Sequence, residues 1–498
     1  MITIDFSKRE KKGLCDYLYE SIKAQILTGE LSANEKLPSK RALADHLGVS
    51  VITVQNAYSL LCVEGYLYSI EKKGFFVTDI KNDVTMKSAV LSKSEESKRS
   101  KTLHGHSAPK KQESYLADFS SNATGFEKFP FSLWAKTMRS VLASGNKNLL
   151  LKTEAKGVFE LREAIAKHLY DFREMRVSPE QIVIGAGTES LYTMLIQLLG
   201  TRHCYAVENP GYKKIASVFA LNGADCVPVE IDGKGMNPLS LKKIGASVVH
   251  ISPSHHFPTG IVMPIRRRNE LLAWASEVNE KECAEEKISE RERLTNGRYI
   301  IEDDYDSEFR FQGKPLPTLQ SSDKNGRVIY INTFTKTLAP SFRISYMVLP
   351  ESLVSRFDEL FAGFSSTVSA FEQFTLAQFI TDGNFARHII RMKNYYRSLR
   401  NELISAFSKT QLSEIFKIHE EESGLHFLLS VNSEKFGRSA TEINERLLAN
   451  KIKIPLLSDF YYTPIPKENE NVFVVNYSGI QKNAIAKIVE LMEKSLDF

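Results

Sequence analysis

The chain has 498 residues, 42% of them hydrophobic and 25% charged, with 65 lysines and arginines against 60 aspartates and glutamates. This length predicts two or three domains, and the apolar fraction excludes a globally disordered chain. No apolar run approaches the ~18 residues that a membrane-spanning helix needs, and the first residues lack the apolar segment of a secretory signal. The five cysteines form no Cys-x-x-Cys pair, which argues against a zinc site or a disulfide framework. We therefore expect a soluble, cytoplasmic protein.

Residues 1–79 predict a small domain of three short helices followed by a β-hairpin. Apolar residues recur at helical spacing over 14–31, and Ser39 and Ser50 stand where the next two helices would begin. We expect these two helices to bury the following residues: Leu43, Ala44 and Leu47 in one, and Val54, Ala57, Leu60 and Leu61 in the other. The three-residue turn 48–50 is typical of a helix-turn-helix. Residues 66–70 and 75–77, separated by a polar break with Gly74, predict a hairpin that would serve as a wing.

This winged helix-turn-helix predicts binding to double-stranded DNA. Its second helix would enter the major groove, where polar side chains reach base edges, and basic residues nearby would neutralise phosphates. The predicted DNA-binding residues are Ser39, Lys40, Arg41, Ser50, Thr53, Gln55, Asn56, Lys72 and Lys73. Residues 1–79 carry ten basic and ten acidic side chains, so a helical dimerisation module stays open as an alternative.

Residues 80–114 differ from the rest of the chain in composition. They hold eight basic and four acidic residues, many lysines and serines, and few apolar side chains. Such a segment buries too little surface to offset the entropy of ordering, so we predict a flexible basic linker. From 115 to 498, helical and strand-like segments alternate, which is typical of an α/β domain with a largely parallel sheet. The charged run 279–298 looks like a surface insertion.

One strand-like run of the large domain ends at a candidate reactive lysine. The apolar stretch 328–331 is followed by Asn332, Thr333, Thr335 and Lys336, and Arg343 comes seven residues after the lysine. A lysine desolvated in a cleft has a lowered pKa, and its neutral amine can attack an aldehyde. Hydroxyls and a guanidinium close by would suit a phosphate. Taken alone, the pattern also fits an ordinary solvated lysine.

Three further motifs could surround the same ligand. The strand-like run that begins at Tyr299 ends in Asp303 and Asp304, followed by Tyr305. A carboxylate held against a pyridine nitrogen keeps that nitrogen protonated; an acidic junction for a divalent metal is the alternative. Gly187 and Thr188 open a helix after another strand, where free N–H groups bind phosphate. The turn 208–212 would present the ring of Tyr212 to a flat cofactor, or it is an ordinary turn.

These motifs carry two resemblances. Residues 38–65 resemble the winged helix of GntR-type regulators, and the four motifs in this order resemble the fold-type I pyridoxal-phosphate (PLP) aminotransferases over approximately residues 115–498. A GntR-type winged helix joined by a long linker to such a domain is the layout of the MocR subfamily of bacterial transcription regulators. The resemblance implies a DNA operator as partner, PLP as cofactor, and a head-to-tail homodimer built on the large domains.

The resemblance also implies a role for each motif residue. Lys336 would form a Schiff base with PLP, and Asp303, two positions before Tyr305, would hold the pyridine nitrogen. Tyr305 would bond the ring hydroxyl, and Tyr212 would stack on the ring. The phosphate would be held by Gly187, Thr188, Thr333, Thr335 and Arg343.

The sequence departs from both families at three positions. Val51 stands where GntR-type winged helices usually have a basic residue, which weakens the prediction of base-level specificity. Phe257, directly before Pro258, replaces the asparagine that aminotransferases have before the corresponding proline. Val474 replaces the arginine that clamps the substrate α-carboxylate, a bidentate contact that positions the substrate. Either Lys213 or Arg387 takes over this charge, or the effector lacks the carboxylate.

The histidines of the loop 252–260 are expected to bind no metal. His255 and His256 show no companion carboxylate or cysteine in the sequence, so a family loop is the simpler interpretation.

The leading hypothesis is a transcription regulator that binds PLP and responds to an amine-type effector or to PLP itself. In this hypothesis the large domain senses rather than turns over substrate, with residual half-transamination possible. The alternative is an active PLP-dependent aminotransferase that carries a DNA-binding module. A sensor of PLP supply that regulates vitamin B6 synthesis is a third hypothesis.

Overall fold

The computed structural model describes residues 4, 6–9, 13–71, 73–79, 115–120, 128–277, 297–311, 316–420, 424–432 and 436–497. The chain forms two compact units that divide between Glu113 and Ser114. Lys72, the predicted linker and nearly all of the predicted insertion 279–298 lie outside the described residues, so these predictions stay open. Among the described helices, none combines the length and the apolar character that crossing a lipid bilayer requires.

The small unit contains the predicted three helices and the predicted hairpin. Its elements are α1 (Leu14–Thr28), α2 (Lys40–Leu47), α3 (Val51–Val63), β1 (Leu67–Ile70) and β2 (Gly74–Val77), and the two strands pair antiparallel. Ser39 Oγ accepts from the backbone N–H of Ala42 at 3.2 Å, and Ser50 Oγ accepts from that of Thr53 at 3.0 Å, so both are N-caps as predicted. Gly48 ends α2 in the left-handed conformation, with φ 67°.

The core of the small unit corrects one predicted residue. Val54, Ala57, Tyr58 and Leu61 are the buried residues of α3, at the i, i+3, i+4 and i+7 spacing of a single helical stripe. Leu60 lies off this stripe and is 43% exposed, so its predicted burial was wrong. Tyr58 takes its place, and its hydroxyl donates to Pro38 O at 3.1 Å.

The large unit combines twelve strands with thirteen α-helices over its described residues. The strands are β3 (Ala117–Asp118), β4 (Ile182–Gly185), β5 (Tyr205–Asn209), β6 (Cys226–Glu230), β7 (Val248–Ile251), β8 (Tyr299–Asp303), β9 (Val328–Thr333), β10 (Ser345–Val348), β11 (Phe416–His419), β12 (His426–Val431), β13 (Ile452–Lys453) and β14 (Val472–Asn476). The helices are α4 (Phe131–Ala143), α5 (Phe159–Arg173), α6 (Thr188–Leu199), α7 (Lys213–Leu221), α8 (Pro238–Lys243), α9 (Ile265–Ser276), α10 (Leu319–Ser322), α11 (Glu351–Phe361), α12 (Ala370–Thr381), α13 (Asn384–Ser408), α14 (Leu412–Ile415), α15 (Ala440–Ala449) and α16 (Ile485–Ser495).

A seven-stranded sheet with the order β4-β10-β9-β8-β7-β5-β6 forms the centre of this unit. Strand β10 runs opposite to the other six strands, which are parallel to one another, so the predicted largely parallel sheet is confirmed. Successive strand residues bury on opposite faces: Ile301 packs with residues of α6 and α11, whereas Ile300 packs with residues of α9. Helices on both faces, with short loops between, are the arrangement expected for an α/β domain.

The C-terminal part of the unit forms a second, smaller core. β11, β12 and β14 make an antiparallel sheet, and β3 pairs in parallel with β13. Apolar residues of α13, α15 and α16 pack on these strands. Phe309, from the loop after β8, lies in the same cluster and ties the smaller core to the central sheet.

Candidate functional site

The predicted cofactor residues meet at one cavity of about 280 Å³ in the large unit. Strands β4, β5, β7, β8 and β9 run in one direction, so their carboxyl ends lie along the same edge of the sheet, where ligands of α/β proteins bind. The cavity is lined by eight of the predicted residues: Thr188, Tyr212, Asp303, Tyr305, Thr333, Thr335, Lys336 and Arg343. Gly187 lies against Arg343, since a Cβ at this position would overlap the guanidinium.

Lys336 follows the end of β9 by three residues and lines the cavity. Burial lowers the pKa of Lys336 to about 8, although the nearby carboxylate of Asp306 acts in the opposite direction. A larger share of the ε-amino group is therefore neutral near physiological pH than in an exposed lysine. This is the electronic state that a nucleophilic amine needs.

The two neighbouring aspartates at the end of β8 have different surroundings. Asp303 Oδ2 accepts from the hydroxyl of Tyr192 at 3.3 Å and lies 3.6 Å from His250 Nε2. Its other oxygen, Oδ1, is buried and has no hydrogen-bond partner among the described residues. Asp304 instead forms a buried ion pair with Arg173 at 2.7 Å, outside the cavity. The Oδ1 atom of Asp304 also lacks a partner among the described residues, so what distinguishes Asp303 is that it lines the cavity. The choice of Asp303 over Asp304 stays a prediction.

The hydroxyls at the end of β9 form a chain. Thr333 Oγ1 accepts from Ser345 Oγ at 2.8 Å and from the backbone N–H of Thr335 at 3.1 Å. The Thr333 hydroxyl donates its only hydrogen to Thr335 Oγ1 at 2.8 Å. The hydroxyl hydrogen of Thr335 therefore stays available to a ligand in the cavity, and the hydrogen bond from Thr333 orients this hydroxyl.

Tyr192 and Glu208 also line the cavity, and neither was predicted as a site residue. Tyr192 Oη lies 2.9 Å from His250 Nε2 and donates to Asp303, so it orients the carboxylate. Glu208 Oε2 accepts from the backbone N–H of Ser252 at 3.0 Å. Burial raises the pKa of Glu208 to about 8, so this side chain is mainly a neutral acid at pH 7. In the sequence Tyr192 looks like any aromatic residue of an apolar helix, and Glu208 looks like part of a turn.

The phenol of Tyr305 faces the cavity beside a second buried cluster. Tyr305 Oη lies 3.3 Å from His255 Nδ1, and the same nitrogen lies 2.9 Å from Asp306 Oδ2. Burial, with a further contribution from Asp306, raises the pKa of Tyr305 well above its ordinary value, so the phenol keeps its proton. A protonated phenol can donate to an anionic ring oxygen, the role predicted for Tyr305.

The assumption that His255 lacks a companion carboxylate is wrong. His255, Asp306 and His426 are all buried, and their potential ligand atoms lie within 4.8 Å of one another. Asp306 is 51 residues away from His255 in the chain, so no local motif could reveal this contact. His256 bonds to Thr259 Oγ1 at 2.6 Å. The prediction that these histidines bind no metal has therefore lost the reason on which it rested.

On the small unit, the predicted DNA-binding residues divide into two groups. The hydroxyls of Ser39, Ser50 and Thr53 take part in helix capping, and Ser50 Oγ lies 2.8 Å from Thr53 Oγ1. The other described members are exposed or half-buried: Lys40, Arg41, Gln55, Asn56 and Lys73. Gln55 and Asn56 are therefore the predicted α3 residues with uncommitted side chains.

Both units match families of known proteins. Residues 14–77 match the bacterial regulatory proteins of the gntR family, and residues 116–279 match the aminotransferases of class I and II. The HTH-type transcriptional regulator YdeL of Bacillus subtilis (strain 168) is 34% identical over 96% of this chain and 96% of its own. The regulatory protein MocR of Rhizobium meliloti is 30% identical over 93% of this chain and 90% of its own. The chain belongs to the MocR subfamily of GntR-type transcriptional regulators.

This MocR-type regulator is thus a DNA-binding protein with an aminotransferase-like domain. Its fold is similar to that of the kynurenine aminotransferase of Pyrococcus horikoshii, with a TM-score of 0.63 at 21% identity. The similarity covers 77% of this chain and 91% of that enzyme. The predicted fold, a winged helix-turn-helix followed by a fold-type I aminotransferase-like domain, is confirmed.

In this MocR-type regulator, two of the positions that depart from the aminotransferase pattern belong to one apolar cluster. Phe257 lines the cavity, with its ring edge-on to Tyr212 at 6.1 Å and to Phe460 at 5.0 Å. Val474, in β14, is buried with Leu457, and Phe257 packs against this cluster. Phe257 is the member of this cluster that lines the cavity, beside His426, whose ring centre lies 5.2 Å from that of Phe257.

The two cations considered as substitutes for the missing arginine lie elsewhere. The Lys213 ammonium lies 5.9 Å from the ring centre of Tyr462 and does not line the cavity. Arg387 donates to Asp382 O at 3.1 Å and to Asn384 Oδ1 at 2.5 Å at the start of α13. Among the described residues, the lysines and arginines that line the cavity are Lys214, Lys336 and Arg343.

Proposed function

We propose that this regulator holds PLP in the cavity of its large unit through Lys336, and that an amine-type ligand or the supply of PLP itself changes its binding to operator DNA. One observation carries the proposal. A lysine with a lowered pKa, a buried carboxylate oxygen without a partner, and a guanidinium converge on one cavity at the carboxyl edge of the sheet. Each of these groups matches a different part of PLP: aldehyde, pyridine nitrogen and phosphate.

The residues present fit this cofactor. Asp303 Oδ1 would accept the N–H of a protonated pyridine ring, and Tyr192 would hold the carboxylate in place from its other side. Thr335 would donate its remaining hydrogen to the phosphate, and Gly187 leaves room for the guanidinium of Arg343. When bound, PLP supplies an aldehyde that condenses reversibly with primary amines and a ring that withdraws electrons from them.

We propose sensing rather than turnover as the role of the domain, with residual half-transamination as the limit of its chemistry. The place of the clamping arginine is taken by Val474, which lies in the apolar cluster behind Phe257, and this supports the proposal because Val474 offers no charged partner to a substrate α-carboxylate. A bidentate ion pair is what positions an amino acid for repeated proton transfer. An amine without that carboxylate would need no such partner.

We propose a head-to-tail homodimer as the form that binds DNA. Large apolar side chains are exposed in α4 and in the loops after α4 and α11: Phe131, Leu142, Leu150, Leu151 and Phe364. The two loops lie side by side, since Lys152 donates to Gly363 O at 3.0 Å, and exposed apolar side chains that lie together are typical of a protein interface. Two copies related by a twofold axis would supply two winged helices for two operator half-sites.

The proposal is tested on the full-length protein with PLP alone and with PLP plus candidate amines. We expect an absorption band near the visible edge and a gel shift that responds to the added ligand. Reduction with borohydride should fix the cofactor stably to the peptide that contains Lys336. DNA binding that ignores both PLP and amines would contradict the proposal. Turnover of an amino donor with a keto-acid acceptor at about 1 s⁻¹ or faster would instead support the active aminotransferase. A response to PLP without amine would identify the cofactor-supply sensor.

A further inference from the structure

We infer that Glu189 competes with the cofactor phosphate for Arg343, and so keeps the affinity for PLP low enough for the cofactor to exchange. The inference rests on the proposed function. Glu189 is the second residue of α6, directly after Thr188, and lines the cavity. Its Oε2 lies 3.3 Å from Arg343 Nη2, and its Oε1 forms an ion pair with Lys214 Nζ. The hydrogen bond from Lys214, followed by the charge of Arg343, holds the pKa of Glu189 below its ordinary value, so the residue is anionic at neutral pH.

The carboxylate stands at the predicted phosphate position. Arg343 lies against Gly187, just before α6, and Thr188 and Thr335 line the same cavity. The start of a helix is a common site for phosphate. Two anions would therefore compete for Arg343: the carboxylate of Glu189 and the phosphate of a bound PLP. The phosphate must displace Glu189 from the guanidinium before it can form its own charge-assisted hydrogen bonds.

Lys214 makes this exchange possible. It lies on α7, opposite Arg343, and keeps Glu189 paired after Arg343 has turned to the phosphate. Lys214, Arg343 and Glu189 carry a net charge of +1, which a phosphate dianion changes to −1; with glutamine at 189 the sum would be zero. The native carboxylate thus weakens phosphate binding in two ways, by pairing with Arg343 and by repelling the second negative charge.

This weakening suits a sensor. A cofactor held so tightly that it never leaves cannot report its own supply, whereas a cofactor bound near its ambient concentration can. The three side chains are between 40% and 50% exposed, so the exchange needs no rearrangement of the core. Glu189 is accordingly an affinity-setting residue that acts on PLP through Arg343.

The test compares PLP with pyridoxal, which has the same ring and aldehyde but no phosphate. Dissociation constants for both are measured by absorption and tryptophan fluorescence on the full-length protein and on Glu189→Gln. We expect the substitution to tighten PLP binding about five- to tenfold at low salt, with pyridoxal changed less than about twofold. The matched control is Glu277→Gln, because Glu277 also bridges two cations, Lys242 at 2.7 Å and Arg298 at 3.0 Å, but outside the cavity.

Three results would overturn the inference: unchanged PLP affinity in Glu189→Gln, weaker PLP affinity, or an equal change for PLP and pyridoxal. Weaker affinity would mean that Glu189 holds Arg343 in position for the phosphate. An equal change would mean that the substitution alters the cavity as a whole. If the unmodified protein captured no PLP, the proposed function itself would fail, so the two failures are distinguishable.

Discussion

Replacing Glu208 with glutamine is expected to stabilise the large unit at neutral and alkaline pH. Glu208 is fully enclosed, and burial raises its pKa to about 8 from the ordinary 4.5 of an unfolded chain. A folded state that holds this proton more tightly than the unfolded state is favoured below pH 4.5 and loses that advantage as the pH rises through 8. With these two pKa values, burying Glu208 lowers the free energy of unfolding by about 1 kcal/mol at pH 5 and by about 4 kcal/mol at pH 8, relative to a side chain that stays protonated in both states.

Glutamine has nearly the same shape and no proton to lose, and its oxygen can still accept from the N–H of Ser252. The free energy of unfolding of Glu208→Gln, relative to the unmodified protein, should therefore rise by about 3 kcal/mol between pH 5 and pH 8. Both tryptophans of the chain, Trp134 and Trp274, lie in the large unit, so urea unfolding followed by tryptophan fluorescence reports on this unit alone. A difference that stays constant with pH would show that Glu208 is ionised in the folded protein, and the argument for a neutral acid in the cavity would be lost.

Three further predictions concern the cofactor, the DNA and the effector. The rate of covalent PLP capture, measured by stopped-flow absorption, should rise with pH and level off above pH values of about 8, because the neutral form of Lys336 is the nucleophile. A rate that keeps rising beyond pH 10 would indicate a lysine whose pKa is not lowered. Arg41→Ala should weaken binding to all DNA sequences alike and lower the salt dependence of binding by about one ion, whereas Gln55→Ala should change the sequence preference. Selection of bound duplexes from a random library distinguishes the two effects. A changed sequence preference in Arg41→Ala would show that Arg41 reads bases. Because Val474 stands in place of the clamping arginine, 2-phenylethylamine should perturb the cofactor absorption at lower concentration than phenylalanine does. The opposite order would mean that another cation binds the carboxylate.

The sequence allowed the local elements to be predicted because their signals are local. Ser39 and Ser50 were recognised as N-caps from their position before apolar stripes, and both accept the expected backbone N–H. Leu60 was misassigned because a continuous apolar run does not show where the stripe ends; three turns of helix place Tyr58, not Leu60, toward the core.

The candidate site was predicted in part, for a comparable reason. The order of the motifs identified the strand ends, and parallel strands bring those ends together. Tyr192 and Glu208 were missed because their roles depend on contacts with Asp303 and Ser252, which only the folded chain creates. The contact between His255 and Asp306 was missed for the same reason, because the two residues are 51 positions apart in the sequence.

The central claim is that a ligand held at Lys336 controls DNA binding, and one titration tests it most directly. An operator duplex selected from a random library is bound by the full-length protein, by Lys336→Ala, and by Lys324→Ala as a control at an exposed lysine. DNA affinity is followed by fluorescence anisotropy as PLP is added, alone and with an amine. We expect a change of about tenfold in the unmodified protein and in the control, and most of it to be lost in Lys336→Ala. An equal response in all three proteins, or none in any, would contradict the account.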